Sequence, residues 1–148
     1  MENHDFSAFS GSYAQSLTLC TASDAERAAA SIFLAPYANY PLLTRADEHR
    51  LLDKALRGND EAADILVGSN MPRIYGRALG MAHAYPYLSA DVLAEAGARA
   101  FRRAISESDG LLRKKGLLID LLSTDIQMAM AAASLNMLGE GSNCNLTV

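Results

Sequence analysis

Residues 40–57 read YPLLTRADEHRLLDKALR, and GNDEAADILVGSNM follows directly. No other part of the chain restricts the fold as much. Pro41 leads the backbone in, Thr44 is placed to cap a helix, and Asp47 and Glu48 put carboxylates in its first turn. There the orphan N–H groups and the positive end of the helix dipole favour acids. Leu51, Leu52, Ala55 and Leu56 recur at helical spacing and give this helix one apolar face. A Gly58-Asn59-Asp60 turn then predicts a stop near Leu56 and a short helix over 60–67 carrying Ile65, Leu66 and Val67.

The same signals punctuate the rest of the chain. Thr21 or Ser23 can cap a helix starting at Asp24, with Glu26 in its first turn and Ile32, Phe33 and Leu34 on its apolar side. It should end before Pro36, whose ring disfavours helix at the preceding residue. Gly68-Ser69-Asn70 reads as a break and a new cap, with Pro72 in the first turn of a helix over 71–83. Ser89 caps another over 90–105, opened by Asp91. Residues 111–138 form a last periodic segment, either one helix interrupted near Gly116 or two. Residues 1–22 and 139–148 read as flexible tails flanking one helical domain over 23–138. No strand-type alternation competes, so the predicted fold class is all-α, a compact helical bundle.

Composition narrows the function. Half of the 148 residues are hydrophobic, enough for one core, and the net charge of −4 argues against a dedicated nucleic-acid binder that relies on bulk phosphate neutralisation. Cys20 and Cys144 lack metal or redox spacing, and His4, His49 and His83 are dispersed. There is no Gly-rich phosphate loop, and the carboxylate pairs Asp47-Glu48 and Asp60-Glu61 are explained by helix starts. The expectation is therefore a non-enzyme without cofactor or metal. The first residues lack a basic-then-apolar signal pattern, and the apolar run 128–138 is too short to span a bilayer. A cytoplasmic protein with no membrane partner is expected.

The pattern Pro41-Leu42-Leu43-Thr44, running into Gly58-Asn59-Asp60 and Ser69-Asn70-Met71, resembles bacterial housekeeping-type sigma factors. Those carry a P-L-L-T-x-E-E-E helix, a G-D-x-x-A helix and an A-N-L segment. Ala30-Ser31-Ile32-Phe33-Leu34 is similar to their V-R-x-Y-L. Asp91-Val92-Leu93-Ala94-Glu95, continuing to Ala98-Arg99-Ala100-Phe101-Arg102, is similar to their D-L-I/V-Q-E helix. In the family that helix clamps a coiled coil of the RNA polymerase β′ subunit. The resemblance, over roughly residues 28–105, implies a fold like the family's core-binding domain (region two). It also implies polymerase-binding roles for Asp91, Glu95, Arg99, Phe101 and Arg102.

Departures from the family pattern shape the expectation further. Ala94 stands where the family has Gln, and Gly97 where Asn or a bulky residue is usual. No Phe, Tyr or Trp follows Phe101, whereas promoter melting needs flat side chains for flipped bases to stack on. The chain therefore resembles a polymerase-docking domain without promoter melting, one half of a split sigma factor whose second chain supplies the promoter-reading parts. Promoter DNA would be touched only indirectly or weakly. The alternative is a sigma mimic that occupies an anti-sigma factor or another regulatory protein. A third reading is a module self-associating through the Met-rich C-terminal helix. Arg103, with Arg113, Lys114 and Lys115, is the strongest local basic cluster and the candidate for nucleic-acid contact, set against a plain solvated charge run. Tyr85 and Tyr87 read either as a recognition loop or as a cover on the core. Met128, Met130 and Met137, with Leu135 and Leu138, read as core or as a partner-binding surface.

Overall fold

The structure, a computed structural model, describes residues 23–85, 87–107 and 109–146. The segment 1–22, read above as a tail, lies outside the described residues. Among the described residues six α-helices follow in order: α1 (Asp24–Leu34), α2 (Arg45–Leu56), α3 (Asp60–Ala84), α4 (Ala90–Glu107), α5 (Leu118–Leu121) and α6 (Ser123–Leu146). Short 3-10 turns at Ala35–Tyr37 and Asp109–Arg113 join them, and no strand occurs among the described residues. The all-α bundle expected from the sequence is what forms.

Local chemistry sets most boundaries. The Ser23 hydroxyl accepts the Glu26 N–H at 3.2 Å while the Glu26 carboxylate accepts the Ser23 N–H at 2.8 Å, a reciprocal capping box. Thr44 and Asp47 repeat the arrangement at the start of α2, with both bonds at 3.2 Å. Asn59 caps α3 by accepting the Ala62 N–H at 3.0 Å. The preceding Gly58 sits at φ +97°, where a side chain would be strained. α1 stops at Leu34, ahead of Pro36, as the ring requires.

Two expectations are corrected. Gly68-Ser69-Asn70 does not break the chain; α3 is one helix of 25 residues with Pro72 inside it. Proline there forfeits the N–H bond to the Gly68 carbonyl, a cost of about 3 kcal/mol. Burial offsets it, because Leu66, Met71, Ile74 and Tyr75 are all in the core. Gly68 serves packing instead: the Tyr40 ring lies 2.7 Å from where its Cβ would stand. The second correction concerns the end of the chain, where α6 continues past Leu138 to Leu146. The interruption near Gly116 is real, and that glycine adopts φ +120°.

α3 is the central rod, packing against α2 and α4, with α1 and α5 making smaller contacts. α4 is sandwiched between α3 and α6. The fully buried layer between them contains Ile74, Tyr75, Leu93, Phe101, Ile105, Ile126 and Met130. Gly97 allows the sandwich to close. A Cβ at that position would meet Met130 Cε at 2.7 Å, Ile74 Cγ2 at 3.1 Å and Ile126 Cγ2 at 3.2 Å. No described helix is long and apolar enough to cross a membrane.

Candidate functional site

α4 divides cleanly into two faces. Leu93, Ala94, Gly97, Ala100, Phe101 and Ile105 point inward, while Asp91, Val92, Glu95, Arg99, Arg102 and Arg103 are exposed. Asp91, Glu95, Arg99 and Arg103 follow one another at four-residue intervals, so they form a single stripe of about 18 Å. Its first half is acidic and its second half basic.

The acidic half is anchored from beneath. The Tyr75 hydroxyl donates to the Asp91 carboxylate at 3.2 Å. Burial, reinforced by the neighbouring Asp91 carboxylate, pushes the Tyr75 phenol up to about 12. The hydroxyl thus stays protonated and keeps its donor role throughout the physiological range. Beside this pair, Glu26 of α1 lies 2.6 Å from His83 Nε2 near the end of α3. The Ser23 backbone N–H holds the Glu26 carboxyl below its ordinary value, with His83 adding to the effect. Glu26, Tyr75, Leu79, His83, Leu88 and Asp91 line a surface concavity of about 470 Å³. Val92, 41% exposed, and the tilted ring pair Tyr85 and Tyr87, centroids 6.1 Å apart, supply apolar surface on and just before the same end of α4. Both tyrosines are more than half exposed, so they do not cover the core.

The residues expected to act together separate into groups. Asp91, Glu95 and Arg99 share the solvent face. Phe101 does not: it is 0% exposed, on the inward row Leu93–Gly97–Phe101–Ile105, and is a core residue instead of a contact. Arg102 is exposed but its guanidinium is paired with Asp64 of α3. Arg103 lies on the outer stripe, with Arg99 and Arg102 around one concavity. Arg113, Lys114 and Lys115 are elsewhere, on the connector before α5. There Lys114 shares a concavity with Thr44 and Arg45 at the start of α2, whereas the arginines gather near Ala55 at its other end, about 15 Å away along that helix. The basic residues therefore do not form one patch. On α6 the methionines divide too: Met130 is buried and Met137 partly so, while Met128 and Leu135 are 66% and 68% exposed.

A buried polar group escaped the sequence reading. Glu48, 2% exposed, accepts the Asn70 Nδ2–H at 3.2 Å and the Leu118 backbone N–H at 2.9 Å. Asn70 also donates to the Leu66 carbonyl at 2.8 Å, and Arg73 is buried one turn further along α3. Next to Glu48, His49 Nε2–H donates to the Leu112 carbonyl at 3.0 Å. Together the two side chains fasten the connector over α2. Position 48 falls on the same helical row as Leu52, and a carboxylate on an apolar row was the available signal.

Among the described residues no three or more His, Cys, Asp or Glu side chains come together as a metal site would require. No protein-family model matches the chain, and neither does any curated protein or solved structure.

Proposed function

We propose that this chain is a sigma-like transcriptional regulator that docks through α4 on bacterial RNA polymerase, at the β′ coiled coil, without melting promoters itself. The observation that carries the reading is the solvent-facing row Asp91–Glu95–Arg99, with Asp91 held in place by the Tyr75 hydroxyl. A helix that offers carboxylates at one-turn spacing, fixed from below and flanked by Val92, is suited to a basic helical partner. Complementary charge would steer the encounter and set the register, while the apolar neighbours contribute contact area. The aliphatic, aromatic-free α6 replaces what a promoter-melting protein would need, which supports an accessory role beside a second, DNA-reading chain.

One observation favours the alternative of a sigma mimic that occupies an anti-sigma factor. Ala94 is fully buried, so the position at which the family carries its Gln is covered here. A protein partner of α4 would meet only the exposed Asp91–Glu95–Arg99 side. Affinity purification from the native host separates the readings: co-elution of core polymerase supports docking, and co-elution of an anti-sigma protein without polymerase supports mimicry.

A further inference from the structure

The basic half of the α4 stripe has a geometry of its own. Arg99, Arg102 and Arg103, with Ser106, project from two successive turns into a concavity of about 480 Å³. Its remaining walls are Asp60 at the start of α3 and an apolar floor of Ala55, Ala63 and Ile105. Asp64 anchors the Arg102 guanidinium at the rim. Ser106 donates its hydroxyl to the Arg103 carbonyl at 2.9 Å, which leaves its lone pairs free to accept. The Arg99 and Arg103 guanidiniums have no hydrogen-bond or ion-pair partner among the described residues. Two unpaired guanidiniums beside a third, all on one wall, are an arrangement for an oxyanion. Arginine's planar fork matches phosphate oxygens in pairs.

We propose that this concavity binds a nucleotide-sized phosphorylated ligand, its phosphates on Arg99 and Arg103 and its sugar hydroxyls on Asp60. Each part of the lining has a role in that assignment. A carboxylate repels bare phosphate but accepts hydrogen bonds from a ribose, so Asp60 selects a sugar-bearing anion. Above the buried Ile105, the partly exposed Ala55 and Ala63 offer apolar surface for a base. The volume falls within the range of small-molecule sites. A polynucleotide fits less well, because Asp60 and Asp64 border the arginines and the separate Lys114–Lys115 cluster does not extend their track. The inference shares Arg99 with the docking row but rests on the concavity and not on polymerase binding, and it is tested on the isolated protein through Arg103.

Isothermal titration with adenosine diphosphate, inorganic phosphate and a single strand of about ten nucleotides decides it. The expected result is saturable 1:1 binding of the diphosphate, tighter than that of phosphate. Arg103→Glu should weaken it by about tenfold or more, Arg103→Lys by less, and Lys115→Glu should leave it unchanged. Circular dichroism of each variant checks that the helices persist, and Arg103 is exposed, so the fold does not depend on it. Absence of saturable diphosphate binding overturns the proposal, as does equal affinity for phosphate and the diphosphate. Tighter binding of the single strand, weakened alike by Arg103→Glu and Lys115→Glu, overturns it in favour of a polynucleotide track.

Discussion

The carboxylate of Glu48 accepts the backbone N–H of Leu118 at 2.9 Å, so a side chain of α2 satisfies the first amide of α5 across 70 positions of sequence. That bond and the Asn70 contact leave Glu48 buried but engaged. Glu48→Ala would strand the Leu118 N–H in the interior and leave Asn70 Nδ2 with only its bond to the Leu66 carbonyl, and should destabilise the protein by about 3 kcal/mol. Glu48→Gln keeps an acceptor and should cost roughly a third of that. Urea denaturation measures both, and equal midpoints for Glu48→Ala and the native chain would contradict the role.

Glycines on the two longest-packed helices should respond in opposite directions. Gly80 faces open space in α3, so Gly80→Ala should stabilise by up to about 1 kcal/mol through helix propensity alone. Gly97 lies against Ile74 and Ile126, so the same propensity gain is more than offset by overpacking. Gly97→Ala should destabilise by about 1 kcal/mol and Gly97→Leu by more than about 2. Thermal unfolding of the variants reads the sign directly.

Alkaline titration should find the Tyr75 phenol late. Tyr75 is pushed from 10.0 up to about 12. The folded state holds a proton that the unfolded chain releases, so the contribution to stability is complete below pH 10 and is lost as pH rises through about 12. Ultraviolet titration of Tyr75→Phe should lack the phenolate step near pH 12.

At the acid end the sign reverses. Backbone N–H groups of Ser23 and Thr44 hold the Glu26 and Asp47 carboxyls below their ordinary 4.5 and 3.8. The unfolded chain takes up these protons first. Both capping boxes therefore support stability above those ordinary values and lose it as pH falls through the lower folded ones. Carbon-detected NMR titration should place both midpoints below 4.5 and 3.8 respectively; midpoints at or above them would rule out the caps as the cause.

How much of this was legible in the sequence depended on distance along the chain. Ser23, Thr44, Asn59 and Pro36 act on neighbours within four residues, and each boundary they announce is where the helix begins or ends. Gly68 and Pro72 misled for the complementary reason. Their local preference is for a break, but Tyr40 against Gly68 and the buried Asn70 favour continuity, and both depend on partners more than twenty residues away. The outward placement of Asp91 and Glu95 could be read from period and capping. The partnership of Asp91 with Tyr75, and the gathering of Arg99, Arg102 and Arg103 near Ala55, required the packing of α2, α3 and α4. Phe101 was misassigned because a motif gives a position in the chain, whereas its helical row with Leu93 and Ile105 gives its direction.

The most direct test of the docking account is the amount of core RNA polymerase that co-purifies with the full chain carrying Asp91→Lys and Glu95→Lys. Both side chains are exposed, so the helices should persist by circular dichroism. The account predicts at least about a tenfold loss of bound polymerase relative to the native chain. Undiminished co-purification by the folded double variant would contradict it.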